Sequence, residues 1–245
     1  MGKRLIQQAR GAGGPTYRAP SFRYKSKAKH KPFDGKDASG EVVGLMHCPG
    51  HSAPLAQIKD IDGCEYFIIA PEGIKKGDVL KSGSKVQARV GNTVSLQHLP
   101  EGTLLYNIES EPGDGGKYCR ASGTFARLVS HRKGKVIIEL PSKKQKLFHS
   151  QCRATIGIVA GGGRTEKPFL KAGIRYYRMK ARNKKYPIMS GAAQNAVDHP
   201  FGNKRTSRKS KARPVARNAP PGRKVGMIAA RRTGRKVHRV KRELQ

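Results

Sequence analysis

Pro54-Leu-Ala-Gln-Ile58-Lys-Asp60-Ile-Asp-Gly63-Cys64-Glu-Tyr-Phe-Ile-Ile-Ala70-Pro71-Glu-Gly73 carries the pattern that sets the fold class. Residues 54–58 alternate apolar and polar side chains, as a half-buried strand does. Asp62-Gly63, flanked by two such runs, is a hairpin signal expected to need positive φ at both residues. Residues 64–70 then run apolar into the Pro71-Glu72-Gly73 turn. The same style extends outward in both directions. An apolar run at 42–46 ends at Pro49-Gly50, and a second Pro-Glu-Gly at 100–102 precedes Leu104-Leu-Tyr-Asn-Ile108. A strand expected over 124–131 turns at Arg132-Lys-Gly134 into a β-branched run at 135–140. Pro141-Ser-Lys-Lys144 leads on to 145–148 and 154–159. Short strands separated by Gly/Pro turns point to small antiparallel barrels. No long amphipathic helix pattern separates them, which excludes a doubly wound α/β fold. Residues 37–170 suit two barrels, expected over 37–90 and 91–170 with the joint in the Gly91-Asn92 turn.

The rest of the chain is of a different kind. It has 245 residues, a formal charge of +35, and 36% hydrophobic residues, against about 45–50% (glycine included) in ordinary globular chains. Residues 1–36 hold 10 Lys/Arg and one acid, whereas 37–170 hold 18 Lys/Arg against 13 acids. Residues 171–245 hold 23 Lys/Arg and two acids, so 30 of the 35 net charges fall in the two terminal segments. A self-repelling segment with few apolar side chains does not offset its own ordering entropy, about 1–2 kcal/mol per residue for the backbone. Basic N-terminal (1–36) and C-terminal (171–245) extensions are therefore expected, extended until a polyanion neutralises them. No apolar run approaches the ~20 residues of a membrane-spanning helix, and the basic start Met1-Gly2-Lys3-Arg4 lacks the apolar run of a secretory signal. The expectation is a soluble intracellular protein with no membrane partner and a polyanionic one.

Candidate chemical motifs mostly fail. The four cysteines, at 48, 64, 119 and 152, form no Cys-x-x-Cys pair and are expected to be reduced. His47, Cys48, His51 and Cys64 include zinc-ligand types, but adjacent residues point opposite ways on a strand, so no metal and no cofactor is assigned. Gly161-Gly-Gly-Arg164-Thr165 is not a P-loop, because the Lys and Ser/Thr positions counted from Gly157 hold Gly163 and Arg164. It reads either as a tight turn or as bare amides beside a cation, suited to a nucleic-acid backbone. Pro112-Gly-Asp-Gly-Gly-Lys117-Tyr-Cys-Arg120 reads either as a flexible connection or as a backbone-contacting loop. Asp198-His199 has no nucleophile nearby and lies in a basic extension that does not pre-organise a site, so no catalytic residue and no enzyme is expected. Between Arg175 and Tyr186 cations and aromatics interleave, which suits phosphate neutralisation and stacking on unpaired bases. Residues 217–236 add Pro and Gly to basic sequence, expected to thread extended between RNA helices.

Several of these segments together carry a resemblance. Ala219-Pro-Pro-Gly-Arg-Lys-Val-Gly226, Ile228-Ala-Ala-Arg-Arg-Thr-Gly-Arg235 and Asn195-Ala-Val-Asp-His-Pro-Phe-Gly202 are similar to the universal large-subunit ribosomal protein L-two family. So are Val159-Ala-Gly-Gly-Gly-Arg164, the 112–117 loop, Arg120-Ala-Ser-Gly123 and Ala70-Pro-Glu-Gly73, and Cys152-Arg-Ala-Thr-Ile-Gly157 resembles the archaeal/eukaryotic form. The resemblance implies a mainly β chain with an OB-like barrel followed by an SH3-like barrel, and basic extensions entering large-subunit rRNA. It also implies neighbouring ribosomal proteins, the small subunit across the interface, and a cytoplasmic place on the ribosome. Subunit association, tRNA positioning and support of the peptidyl transferase centre are the implied roles, with Asp198 and His199 nearest that centre. The chain departs from the family at Gln194, where Met is typical, at Tyr186, where Trp is usual, and over Asn203-Lys-Arg-Thr-Ser-Arg-Lys-Ser210. Expected rRNA-binding cations are Arg18, Arg23 and Lys25 in the N-terminal extension, and Lys117, Arg120, Arg153 and Arg164 between them. In the C-terminal extension they are Lys171, Arg175, Arg178, Lys180, Arg182, Lys184 and Lys185. Further along come His199, Arg205, Arg223, Lys224, Arg231, Arg232 and Arg235.

Overall fold

A computed structural model describes residues 5, 8, 10–32, 37–84, 86–203, 213–231 and 233. The first four strands are β1 (Ala38–Met46), β2 (Leu55–Asp60), β3 (Glu65–Ile69) and β4 (Val79–Gly83). Six follow: β5 (Thr93–Ser95), β6 (Leu104–Tyr106), β7 (Ala126–Arg132), β8 (Lys135–Glu139), β9 (Gln145–His149) and β10 (Arg153–Ile156). The helix α1 (Ala172–Lys180) comes after them. The strands hydrogen-bond in the order β3-β2-β1-β4-β5-β10-β6-β7-β8-β9. β1–β3 and β6–β9 are antiparallel meanders, and β10 returns to pair with both β5 and β6. A short parallel pairing of β4 with β5, Ser82↔Thr93 and Gly83↔Val94, joins the halves.

Burial explains why the sheet divides. Val42, Ala56, Ile58, Ile68 and Leu80 fill the first half, while Leu105, Leu128, Val136, Ile138 and Phe148 fill the second. Between them Cys48, Leu55, Ile69, Tyr106 and Val159 form a third cluster, where the Tyr106 hydroxyl donates to Ile69 O at 3.1 Å. Each fully buried Leu, Ile or Val contributes about 1.5–3 kcal/mol, so this middle cluster resists separation of the halves. Burial also pushes the Cys119 and Cys152 thiols up to about 11, which keeps them protonated.

Three local expectations are corrected. The 61–64 connection places the left-handed conformation on Gly63 alone (φ 78°); Gly63 N–H donates to Asp60 O and Asp60 N–H to Cys64 O. One extra loop residue thus replaces the two-residue turn. The segment 20–32 is not a free extension, since Ala28 and His30 are buried and Lys29 N–H donates to Phe67 O at the edge of β3. The tail 213–231 does not run straight. Val215 bridges Ile228, Arg223 and Lys224 N–H donate to Pro220 O, and Gly222 takes φ 91°, closing a loop around buried Val225. Chain contacts divide the protein into two compact units, 20–182 and 1–19 with 183–245.

Candidate nucleic-acid interface

Some expected RNA-binding cations are used inside the fold. Glu109 is 0% exposed, and its carboxylate accepts the N–H groups of Gly113, Gly115 and Arg153 at 2.9–3.2 Å. The Arg153 guanidinium, itself 4% exposed, donates to Glu109 Oε1 at 3.0 Å and to Lys31 O at 2.8 Å. A buried charge without a partner costs several kcal/mol, so Arg153 is committed to Glu109 rather than available to a phosphate. Arg120 is half-buried, with its guanidinium donating to Gly116 O at 2.9 Å and Ala28 O at 2.7 Å. The 112–120 loop is therefore a built loop rather than a flexible connection. Burial raises the Asp114 pKa, but the N–H groups of Gly116, Ser110 and Glu111 and the Lys117 ammonium hold its carboxyl below the ordinary value. Lys117 is exposed and pairs with Asp114 at 3.1 Å.

Other cations face outward around α1. That helix buries none of its residues. Arg178 and Lys180 lie in its last turn, where positive charge complements the helix dipole. Lys171, Arg175 and Lys180 are exposed; Arg178 lies over the Phe169 ring at 5.6 Å. Tyr176 and Tyr177 are exposed at 43% and 69% and meet edge to face at 5.5 Å. Flat rings among cations are available for stacking on bases. Arg164 follows Gly161, whose φ of 79° starts a short 3-10 turn, Gly162–Thr165. Its Nε donates to Ser122 Oγ at 2.7 Å. Arg182 Nε donates to Pro49 O at 3.1 Å. In the same unit, Arg23 and Lys25 are exposed, with Arg23 stacked on exposed Phe22 at 5.3 Å.

His51 also belongs to this neighbourhood, a placement that residue spacing does not reveal. Its Nδ1 lies 3.2 Å from Cys48 Sγ, and burial with the charges of Arg120 and Arg182 holds its pKa below the ordinary value. Cys48 is buried while Cys64 is exposed. Among the described residues no group of three or more His, Cys, Asp or Glu is arranged to hold a metal ion.

In the other unit, His199 is part of a tight loop. Its N–H donates to Asn195 O and its O accepts from Gly202 N–H. Its Nδ1 accepts from Phe201 N–H at 3.1 Å, and its ring meets Phe201 edge to face at 5.1 Å. A side chain at Gly191 would collide with the His199 ring, and one at Gly202 with the Gln194–Asn195 backbone. Burial lowers the His199 pKa, which favours the neutral ring; with Nδ1 accepting from Phe201, Nε2 is then its donor. Asp198 is half-buried beside it. Arg18 is exposed, donating to Gly13 O at 3.3 Å, and Lys184, Lys185, Arg223 and Arg231 are exposed with Lys224 half-buried. Arg205, Arg232 and Arg235 lie outside the described residues.

The chain has clear relatives. A family model described as "Ribosomal Proteins L2, C-terminal domain" matches residues 89–219. "Large ribosomal subunit protein uL2" of Archaeoglobus fulgidus is 53% identical over 234 residues, covering 96% of this chain and 99% of that protein. The protein of the same name in Methanococcoides burtonii is 53% identical over 237 residues, covering 96% and 100%. That of Haloarcula marismortui is 50% identical over 236 residues, covering 96% and 98%.

Proposed function

The chain belongs to the ribosomal protein L2 family, and from that premise we propose that it is a structural constituent of the large ribosomal subunit that binds rRNA. With the family come an OB-like and an SH3-like barrel on a mainly β chain, and a place in the cytoplasm as part of the ribosome. Neighbouring ribosomal proteins are its protein partners, and it meets the small subunit across the interface. The loop holding Asp198 and His199 lies beside the peptidyl transferase centre, where the protein supports tRNA positioning without doing chemistry itself.

One observation carries the rRNA-binding reading. Lys171, Arg178, Lys180, Arg164 and Arg182 have no carboxylate partner among the described residues, whereas buried Arg153 and half-buried Lys31 each have one. Evolution of a stable monomer gives no reason to gather unpaired cations around an unburied helix; a phosphate backbone does. The RNA-facing set is accordingly Arg23, Lys25, Lys117, Arg164 and the cations from Lys171 to Lys185. It continues through His199, Arg223, Lys224 and Arg231. Phosphate contacts fix position, and unpaired bases stacking on Tyr176 and Tyr177 add specificity.

The test is sedimentation of cell lysate at raised salt, followed by binding of purified protein to its own rRNA fragment and to an unrelated duplex. Co-migration with large subunits and preference for the rRNA fragment are expected. Equal binding to both RNAs at raised salt, as a free nucleic-acid regulator would show, sinks the proposal.

A further inference from the structure

Four separate segments meet on one side of the 20–182 unit. The 49–52 turn supplies Pro49 O to Arg182 Nε at 3.1 Å. Ser52 Oγ accepts from Ser122 N–H at 3.1 Å, and Ser122 Oγ in turn accepts from Arg164 Nε at 2.7 Å. Gly123 and Gly162 pack backbone to backbone, since a Cβ on Gly123 would lie 2.5 Å from Gly162 Cα. Gly123 N–H also donates to Val159 O at 2.9 Å. The end of α1 brings Arg178, set over Phe169. In each of Arg164 and Arg182 the Nε is held by the protein, which orients the guanidinium and leaves its terminal nitrogens for another acceptor.

From this convergence we infer that Arg164, Arg178 and Arg182 form a single clamp that holds one phosphate of the RNA backbone. The inference rests on the rRNA-binding reading above and names a site within it. Pre-oriented guanidiniums suit it, because bidentate Arg–phosphate pairing rewards fixed geometry. The electrostatics agree. Burial and then the charges of Arg178 and Arg182 hold Arg164 below its ordinary pKa. Arg182 acts likewise on His51. None of the three arginines has a carboxylate partner among the described residues, so an outside anion would relieve their mutual repulsion. The close approach of Gly123 to Gly162 is what lets the Arg164 turn reach Ser122.

A clamp on one phosphate differs measurably from three independent contacts. Full-length protein and the variants Arg164→Ala, Arg182→Ala and the double variant are titrated with the chain's own rRNA fragment across a salt series. Each single variant is expected to lose about 10-fold or more in affinity, the size of a charged hydrogen bond. Each is also expected to lessen the slope of log K against log salt by about 0.9, one phosphate's worth. The double variant is expected to lose little beyond either single variant, in affinity and in slope. Arg164→Lys keeps the charge but not the fork, so it is expected to keep the slope and lose affinity. Near-UV circular dichroism and thermal melts verify that each variant is folded. Losses that multiply, with a slope change near twice the single value, overturn the clamp while leaving the rRNA-binding reading intact. If the unaltered chain does not prefer its own rRNA fragment, that reading falls and the clamp falls with it.

Discussion

Arg153 and Arg164 look alike in the sequence, each a lone cation, after Cys152 and Gly163 respectively, yet they have opposite fates. What separates them is Glu109, 44 residues upstream of Arg153, whose buried carboxylate gathers the 113–115 amides and the Arg153 side chain. Removing one partner of such a pair costs about 3–5 kcal/mol. His30 belongs to the same cluster, with its Nε2 2.7 Å from Asn107 O. Burial lowers its pKa from 6.5 to about 4, against the opposing pull of the Asn107 carbonyl and Glu109. The folded chain therefore holds His30 neutral while the unfolded chain protonates it near 6.5. Stability is present above that pH and is lost as pH falls towards 4, by about 3 kcal/mol in all. Urea midpoints between pH 7 and pH 4 are expected to fall steadily for the native chain. His30→Gln, which keeps a donor but no titrating group, is expected to flatten that decline. An unchanged pH dependence in the variant rules out His30 as its source.

At the scale of elements, strands were legible where apolar residues alternate or cluster between Gly/Pro turns, as in β2, β3 and β8. β4 and β5 were not. Val79–Gly83 exposes Val79, and Thr93–Ser95 buries two polar residues, so neither displays a period that marks a strand. Their pairing is set by partners in β1 and β10, which sequence spacing does not reveal. In the 20–32 segment, net charge hides the structural use of the residues. Lys29 N–H bonds to β3 and Lys31 pairs with Asp60 at the end of β2. On the other half, His30 N–H bonds to Gly115 O, and Lys31 O and Ala28 O take Arg153 and Arg120. It is a strap across both halves of the sheet. A chain lacking residues 1–19 is expected to retain its denaturation midpoint, and one lacking 1–32 to lose at least ~3 kcal/mol, the lower range for exposing buried charged hydrogen bonds. Equal midpoints for the two truncations refute the strap.

At the scale of the molecule, a charge of +35 is carried mostly by residues outside a nearly balanced double-barrel body. Sequence showed that partition plainly, because net charge needs no folding to be counted. It did not show which body cations turn outward, since that depends on carboxylates distant in the chain. We propose that residues 171–245 anchor the body to rRNA by displacing counterions. The direct measurement is affinity for the chain's own rRNA fragment across a salt series, for the full chain and for one ending at residue 170. If ~10 phosphates are neutralised, the full chain has a slope of about −9 or steeper in log K against log salt. This slope is expected to collapse in the shortened chain; if affinity and slope survive the deletion, residues 171–245 are not the anchor.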